Sequence, residues 1–304
     1  MSYARTTCFS GYCWGLDESQ VIVLGAPLEE TTSYRPGTRF APRAIREASA
    51  YIEYWSLRGK LDVDEHVRFY DAGDALVEQP LEKALEAIGD AVERLSGVGK
   101  PLVVMGGEHT ITLGIVEGLV RAGYKPCMVQ LDAHMDMRSE YAGRRVSHAT
   151  FARLVVSEVG VPVVLAGVRG FVREELEFAR ANHVPVIDAH RLQDESVAAV
   201  IPAVSKLIEK SVCNHLHLTL DMDVVDPGFA PGVSNPEPEG ITPRILLDIV
   251  FEVARLAVLR GMSLSMDVVE VSPPYDAGGV TSVLAAKAIV EFAAGVVAAR
   301  SSAR

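Results

Sequence analysis

Eight short runs of apolar and β-branched residues recur along the chain, separated by longer stretches with helical periodicity. Most of the runs are continuously apolar rather than alternating, which is typical of parallel strands that are covered on both faces. The pattern therefore predicts an α/β fold whose mostly parallel sheet has about eight strands, with helices on both faces. The runs are VIVLG (21–25), VRFYD (67–71), LVVMG (102–106), CMVQLD (127–132), VVLAG (163–167), VPVID (184–188), LHLTLD (216–221) and SLSMDVVE (263–270).

Three of the intervening stretches carry helix signals. Between residues 81 and 95 the apolar positions step by three and four, which places them on one helical face. A second helix is predicted to begin at Thr242, a suitable N-cap that is followed by proline. The apolar tail 283–299 contains Lys287 and Glu291 and falls short of the ~20 uninterrupted apolar residues of a membrane span, so it predicts a buried helix.

Composition is that of an ordinary globular protein. The 304 residues are 49% apolar and 23% charged, which excludes a disordered or fibrous chain. No linker or repeat is visible, so we expect one domain over 1–304 whose residues 1–20 form an N-terminal extension. The net charge of −11 disfavours nucleic-acid binding and favours cationic partners. No secretory segment is evident, and we expect a cytosolic protein that does not bind membranes.

The four cysteines show no metal-binding or redox spacing, because no pair is separated by two residues. Cys127 and Cys213 lie in apolar runs and are predicted to be buried free thiols. Cys8 and Cys13 are close enough in sequence to form a disulfide, but a short loop of this kind is expected to stay reduced in the cytosol.

Three predicted strands end in histidine or aspartate. GGEH (106–109) follows the third run, DAHMD (132–136) overlaps the end of the fourth, and DMD (221–223) overlaps the end of the seventh. Reactive residues of such sheets lie where the strands end. Residues i and i+2 of an extended segment point to one side, so the first and third residues of DAHMD can face one point, as can the two aspartates of DMD. The candidate metal ligands are His109, Asp132, His134, Asp136, Asp221 and Asp223.

The charge of this group favours two bound cations. Four crowded carboxylates repel one another unless they are neutralised, and two divalent ions would neutralise them. Oxygen-rich ligands with some imidazole and no thiolate suit Mn²⁺. A water between two such ions would have its pKa lowered from ~15.7 to ~7, which supplies hydroxide near neutral pH. Each motif alone is more often a tight turn, a cap or a buried histidine; their joint occurrence at three strand ends favours the metal centre.

The other histidines differ in context. His215 and His217 lie on a predicted strand and are expected to pack against a helix or to be hydrogen-bonded, whereas His148 lies in the short polar segment SHAT. Three histidines in polar segments are predicted to be exposed or to cap turns: His66, His183 and His190.

At these motifs the sequence resembles the ureohydrolase family, which includes arginases and agmatinases, from near residue 20 to the C-terminus. The most specific match is LDMDVVDPGFAPGVSNPEPEG (220–240), and DVVEVSPPYD (267–276) matches as well. The segment GAPLEETTSYRPGTRFAPRAIRE (25–47) looks like agmatinase rather than arginase. Departures from the family pattern remove no candidate ligand; they are Glu108, Thr110, Thr219, Met222 and Ala149 after His148.

The resemblance implies a three-layer α/β/α arginase-like fold, assembly as a homo-oligomer (a trimer or hexamer) and two Mn²⁺ per subunit. By this analogy one ion would be held by His109, Asp132, Asp136 and Asp221. The other would be held by Asp132, His134, Asp221 and Asp223, so that Asp132 and Asp221 bridge the ions.

Hydrolysis of a guanidino group demands further residues, because a protonated guanidinium carbon is a poor electrophile and has to be held in a fixed orientation. Glu270 is the candidate for orientation, since a carboxylate binds two guanidinium N–H groups in a fork; the alternative is a capping or surface glutamate. His148 is the candidate proton shuttle to the leaving nitrogen, or else only a hydrogen-bond donor to the substrate.

The expected reaction is the hydrolysis of agmatine, a small cationic guanidino compound, to putrescine and urea, a step of polyamine biosynthesis. The loop 137–147 lacks the Ser- and Asn-rich character with which arginases hold an α-amino acid, which favours agmatine. Arg144 and Arg145 are expected to be solvated surface charges, but they leave open arginine or a guanidino acid such as 4-guanidinobutyrate, whose carboxylate either side chain would bind. Two other classes stay open: a two-metal phosphoesterase, which needs a basic phosphate-binding cluster, and a catalytically silent protein on the same scaffold.

Overall fold

A parallel sheet of eight strands forms the centre of the computed structural model, which describes residues 7–302. The strands are β1 (Val21–Ala26), β2 (Phe69–Asp74), β3 (Leu102–Gly106), β4 (Pro126–Leu131), β5 (Val163–Val168), β6 (Val186–Asp188), β7 (His215–Asp221) and β8 (Ser263–Val269). Their order across the sheet is β2-β1-β3-β8-β7-β4-β5-β6, and every neighbouring pair is parallel. Each predicted run contributes one of these strands, which confirms the predicted sheet.

Helices connect the strands and cover the sheet. Both of the predicted amphipathic helices are present, as α2 and α8, and the Thr242 side chain caps α8 by accepting from the Ile245 N–H at 3.4 Å. The helices are α1 (Ala41–Ser49), α2 (Leu81–Ser96), α3 (Ile111–Arg121), α4 (Phe151–Leu154), α5 (Arg173–Ala181), α6 (Ala189–Glu195), α7 (Val197–Lys210), α8 (Pro243–Leu259) and α9 (Val280–Ser302).

The two faces of the sheet carry separate apolar cores, because successive strand residues point to opposite faces. Val21 and Val23 of β1 belong to one core, and Ile22 and Leu24 belong to the other. Helices α1, α7, α8 and α9 pack on the first face, and α2, α3, α4 and α5 pack on the second. The fold is therefore the three-layer α/β/α arrangement that the resemblance implied.

Helix α9 is long and apolar enough to cross a membrane, but 78% of its most apolar window is buried inside the molecule. The buried Glu291 carboxylate within it accepts from Ser56 Oγ at 2.7 Å and lies 3.3 Å from Arg58 Nη1. Helix α9 is therefore a core helix, as predicted for the apolar tail. Ser56 belongs to a short antiparallel pair, Trp55–Ser56 with Leu61–Asp62, which the sequence pattern did not predict.

The N-terminal segment differs from expectation, because Cys8 and Cys13 form a disulfide with a Cα–Cα distance of 5.4 Å. The expectation that these two cysteines stay reduced is therefore wrong. A turn with Gly11 at a φ of 75° brings them together, and Phe9 between them packs on Phe69 with ring centroids 4.8 Å apart. Residues 1–6 of the expected extension lie outside the described residues.

The isolated histidines and cysteines are placed largely as predicted. His215 and His217 are buried, and their rings share the Ser265 hydroxyl at 2.7 and 2.8 Å. Of the free cysteines, Cys127 is buried and Cys213 is half-buried. The three histidines predicted in polar segments are exposed: His66, His183 and His190.

Candidate metal centre and adjoining cavity

Four adjacent strands in the middle of the sheet, β3, β8, β7 and β4, end at one buried cluster of ionisable side chains. His109 follows β3, Asp132 follows β4, Asp221 ends β7, and Glu270 follows β8. Because parallel strands end at the same edge of a sheet, residues up to 161 positions apart meet there, as the hydrogen bond from His109 N–H to Glu270 shows.

Asp132 and Asp221 each accept a backbone N–H with one carboxylate oxygen and direct the other oxygen toward His109. Asp132 Oδ1 accepts from the His134 N–H at 2.6 Å, and Asp221 Oδ1 accepts from the Asp223 N–H at 2.8 Å. Their Oδ2 atoms both lie 3.1 Å from His109 Nδ1. The turn-capping interpretation and the ligand interpretation of these spacings are therefore compatible, because a carboxylate has two oxygens.

All six candidate ligands come together in this cluster. His109 Nδ1 lies 3.3 Å from Asp136 Oδ2 in addition to its two contacts above. His134 Nδ1 lies 3.0 Å from Asp223 Oδ2 and 3.6 Å from Asp132 Oδ1. Two groups of three have ligand atoms close enough to hold an ion: His109 with Asp132 and Asp136, and Asp132 with His134 and Asp223.

Asp132 belongs to both groups, as expected for a bridging ligand, and Asp221 belongs to neither although it contacts His109.

Two contacts hold the ring of His109, one against its face and one at its Nε2 atom. Its plane lies against Phe151 with centroids 4.2 Å apart, and its Nε2 lies 2.8 Å from Thr219 Oγ1. The Thr219 hydroxyl donates to Asp267 Oδ1 at 2.7 Å, so it accepts the proton of His109 Nε2. His109 Nδ1 is consequently the nitrogen available to an ion, which is the usual arrangement when the second nitrogen of a ligating histidine is hydrogen-bonded.

Three groups in the cluster have pKa values raised above the ordinary range. Burial raises the pKa of Asp136 well above its usual value, and the charge of Asp132 adds to the effect. Burial, then Asp223 and Asp132, likewise raises the pKa of Asp221. Burial opposes protonation of His109, but its hydrogen bonds with the three aspartates outweigh burial and raise its pKa well above the ordinary range.

The donor set fits divalent cations, because the cluster demands positive charge. The raised pKa values show that burial and mutual repulsion disfavour further negative charge here, and a bound cation would stabilise the ionised carboxylates. Carboxylate and imidazole ligands without thiolate suit Mn²⁺ and similar ions. The backbone at Asp136 adopts a φ of 52°, a conformation uncommon outside glycine that turns its carboxylate back toward His109.

Glu270 lies beside the cluster in the same uncommon backbone region, with a φ of 63°. Its Oε1 accepts from the His109 N–H at 2.6 Å, and its Oε2 accepts from the Ser234 hydroxyl. Burial raises the pKa of Glu270 to about 7, against the lowering effect of the Ser234 hydrogen bond. Glu270 is buried, which excludes a surface glutamate, and its two partners lie outside the helices, which excludes a helix cap. Each of its oxygens keeps one lone pair beyond these hydrogen bonds.

An open cavity of about 390 Å³ adjoins the cluster. Two candidate ligands, His134 and Asp136, line it together with His148. The His148 side chain is buried against Tyr141, whose ring meets it edge-on at 5.4 Å. The cavity is also lined by Ser33, Tyr34, Arg138, Phe171, Glu175 and Glu237.

The two arginines considered for substrate binding do not line this cavity. Arg144 Nη1 lies 3.1 Å from Glu30 Oε1, and Arg145 forms a close ion pair with Glu158 in a different surface depression. Arg138 lines the cavity instead, with its guanidinium 5.3 Å from the centroid of Tyr141. No carboxylate within residues 7–302 forms an ion pair with Arg138.

Several residues of the site were missed from the sequence. Thr219 and Glu108 were noted only as departures from a family pattern, yet each contacts a site histidine or the loop beside it. Asp267 and Ser234 were not singled out at all. The alternation of side chains along a strand was the available signal, because Thr219 lies two residues before Asp221 and therefore faces the same side. Asp267 is the Cα partner of Thr219 on the neighbouring strand.

Comparison with known proteins identifies the family to which the chain belongs. The arginase family model matches residues 19–295. The chain belongs to the arginase family. It is 34% identical to an agmatinase of Bacillus anthracis, covering 92% of this chain and 92% of that protein. It is 32% identical to a guanidinobutyrase of Pseudomonas aeruginosa, covering 91% and 86%.

Among solved structures, the agmatine ureohydrolase of Thermoplasma volcanium superposes with a TM-score of 0.86 at 28% identity, over 99% of this chain and 97% of that one.

This arginase-family member is a ureohydrolase enzyme, and its His/Asp cluster lies where the four central strands end. The predicted family is confirmed, and so is the α/β/α architecture that it implied.

Proposed function

We propose that this protein hydrolyses agmatine to putrescine and urea with two Mn²⁺ ions per subunit. The observation that carries the proposal is Asp132, whose carboxylate belongs to two ligand groups at once beside an open cavity. A carboxylate shared in this way is the arrangement that holds two ions together. The agmatinase relative supports the choice of reaction.

Six side chains would hold the ions: His109, Asp132, His134, Asp136, Asp221 and Asp223. When bound, the ions lower the pKa of water and supply hydroxide as a nucleophile near neutral pH. Asp221 is assigned by its contact with His109 and by family resemblance, since it lies outside both groups of three.

Glu270 and His148 would provide the remaining chemistry. The free lone pairs of the Glu270 carboxylate would accept guanidinium N–H groups and fix the orientation of the planar cation. A guanidinium placed there also favours the ionised form of a carboxyl group whose burial otherwise raises its pKa. His148, at the cavity wall, would give a proton to the leaving nitrogen as its bond to carbon breaks.

The cavity supports a cationic substrate tail. Glu237 lines it with its Oε1 3.7 Å from His134 Nε2, and Tyr34, Tyr141 and Phe171 offer aromatic surface to an ammonium group. Glu175 lines the same wall, but its oxygens accept from backbone N–H groups. These features suit the primary amine of agmatine better than a carboxylate.

A second substrate class is favoured by two observations. Arg138 lines the cavity without an ion-pair partner in the described part of the chain, and a relative acts as a guanidinobutyrase. Arg138 would bind the carboxylate of 4-guanidinobutyrate, or of arginine, in a fork. A phosphoesterase is less well supported, since Arg138 is the only arginine or lysine among the described residues lining the cavity.

Urea release tests the proposal directly. Purified protein with Mn²⁺ should release urea from agmatine faster than from L-arginine or 4-guanidinobutyrate. Faster release from 4-guanidinobutyrate would assign the second class, and no urea from any of the three compounds would refute a ureohydrolase function. Elemental analysis should find two manganese ions per chain after incubation with Mn²⁺.

The proposal includes assembly as a trimer or hexamer in the cytosol. Exposed apolar side chains support self-association: Tyr51 is 91% exposed, Leu57 78% and Trp55 51%. Light scattering would measure the number of subunits in the oligomer. Cell fractionation would test the cytosolic location, which the Cys8–Cys13 disulfide disfavours because disulfides are rare in the cytosol.

A further inference from the structure

Glu108 is a fully buried carboxylate that belongs to neither ligand group. Its Oε2 accepts from the backbone N–H groups of Glu30 and Thr31, both at 2.6 Å. Its Oε1 accepts from the hydroxyls of Thr31 at 2.7 Å and Thr110 at 2.6 Å. All of these partners are donors, so Glu108 acts as an ionised acceptor that fixes the loop after β1.

The Thr31 hydroxyl has one proton and two lone pairs. Its 3.2 Å contact with Thr110 Oγ1 uses none of them, because the Thr110 proton is donated to Glu108. The Thr31 proton also goes to Glu108, because a charge-assisted bond to a carboxylate is stronger than one to a neutral imidazole. Thr31 Oγ1 also lies 3.1 Å from His148 N and 3.1 Å from His148 Nδ1. Since its proton is committed, Thr31 accepts at both of these contacts, and His148 carries a proton on Nδ1.

The other nitrogen of His148 is thereby left as an acceptor. Nε2 lies 3.3 Å from the hydroxyl of Ser33, which lines the cavity with it. Burial also lowers the pKa of His148, which favours the neutral ring with a single proton.

We propose that Thr31, oriented by Glu108, is a positioning residue that holds His148 as the Nδ1–H tautomer with Nε2 directed to the cavity. The inference rests on the proposed function, in which His148 moves a proton. Nε2 takes a proton from water in the cavity and gives it to the leaving nitrogen as the carbon–nitrogen bond breaks. The hydroxide left by that water replaces the one consumed in the attack on the guanidinium carbon, and His148 returns to its neutral form. The opposite tautomer would present a proton where a lone pair is required.

Three variants test this role in the Mn²⁺-loaded enzyme. Thr31→Val removes the hydroxyl at nearly constant volume, and we expect kcat to fall about 10- to 100-fold with a KM change below about threefold. Thr31→Ser keeps the hydroxyl and should restore kcat to within about threefold of wild type. Thr38→Val is the matched control, because Thr38 is a buried threonine of the same segment whose hydroxyl contacts Glu29 at 3.4 Å and no histidine. Wild-type kcat in Thr31→Val would overturn the proposal.

The tautomer itself is measured without turnover. Long-range ¹H–¹⁵N correlation spectra of ¹⁵N-histidine protein, with His148→Gln to assign the signals, should show protonated Nδ1 and unprotonated Nε2 in wild type and in Thr31→Ser. Loss of that pattern in Thr31→Val supports the proposal, and a wild-type ring protonated on Nε2 overturns it. If no guanidino compound is hydrolysed, the proposed function fails while the spectra still decide the tautomer.

Discussion

Two imidazoles of this site are each paired with a threonine hydroxyl that donates to a buried carboxylate, yet the two units leave opposite ring nitrogens free. In the sheet unit, Asp267–Thr219–His109, the threonine faces Nε2 and leaves Nδ1 to the carboxylate cluster. In the loop unit, Glu108–Thr31–His148, the threonine faces Nδ1 and leaves Nε2 to the cavity.

The units also differ in how they are supported. Thr219 and Asp267 are Cα partners on neighbouring central strands, and both are fully buried. Thr31 and His148 lie in loops: Glu108 holds the first by accepting backbone N–H groups, and the His148 N–H of the second donates to the Thr31 hydroxyl. Strand support suits a ligand that has to stay fixed on an ion, whereas loop support suits a group that exchanges protons with a cavity. Under the proposed function, the same chemical unit would therefore perform two tasks, depending on which element carries it.

The largest effect is expected where both ligand groups meet. Asp132→Asn replaces the shared carboxylate by an amide, which neither bridges ions well nor neutralises them, and urea release should fall at least about 10³-fold. Elemental analysis should show fewer than two ions per chain. Asp90→Asn, the same change at a helix position whose side chain is 49% exposed, serves as the control. Unchanged metal content in Asp132→Asn, or in His134→Ala, would favour the catalytically silent alternative.

A smaller effect is expected at the threonine of the sheet unit. Thr219→Val leaves His109 Nε2 without its acceptor, and we expect metal affinity to fall about 10- to 100-fold while kcat at saturating Mn²⁺ changes little. Thr219→Ser should restore the affinity. Thr112→Val is the matched control, since the Thr112 hydroxyl also donates to Asp267, at 2.9 Å, and lies 3.3 Å from the Thr219 hydroxyl but does not contact the His109 ring.

Together with Thr31→Val, this variant gives a crossed design: the sheet threonine should alter metal affinity and the loop threonine kcat. The same phenotype in both variants would contradict the division of tasks.

The sheet unit was only partly accessible to sequence reasoning. The strands and the ligands at their ends were predictable, because continuous apolar runs mark buried parallel strands and the i, i+2 spacings place aspartates on one side. The partners of these ligands were not, since Asp267 and Thr219 meet only through the register of β7 and β8. The disulfide was missed for a related reason: burial of Phe9 against Phe69 shapes its loop, and that contact spans 60 residues.

The stability of the fold should be sensitive to acid through His215, which lies on β7. Asp267 Oδ2 lies 2.9 Å from His217, which reaches His215 through the Ser265 hydroxyl. Burial, with the charge of His217, lowers the pKa of His215 to about 3. The unfolded chain therefore binds a proton at His215, near its ordinary value of ~6.5, that the folded chain does not, and stability is lost as pH falls from there toward 3.

Between pH 7 and pH 5, His215 should account for about 2 kcal/mol of the loss in unfolding free energy. Urea unfolding of His215→Leu at the two pH values should show a correspondingly smaller loss than wild type. His190→Leu, at an exposed position, should keep the wild-type dependence. Equal pH dependence in His215→Leu and wild type would show that His215, which adjoins the sheet unit through Ser265 and His217, does not set acid sensitivity.

The smallest effect is expected on the loop side, at the ion pair between Arg144 and Glu30. Glu30 is already held by the bond from its N–H to Glu108, and the Arg144 side chain is 46% exposed, so Arg144→Ala should cost less than about 1 kcal/mol of stability. Because Arg144 lies outside the cavity lining, kcat/KM should change less than about twofold for both agmatine and 4-guanidinobutyrate. Arg145→Ala, at the neighbouring ion pair with Glu158, is the matched control. A tenfold rise in KM for 4-guanidinobutyrate alone in Arg144→Ala would mean that the Arg144–Glu30 ion pair beside the loop unit also contributes to recognition of the substrate tail.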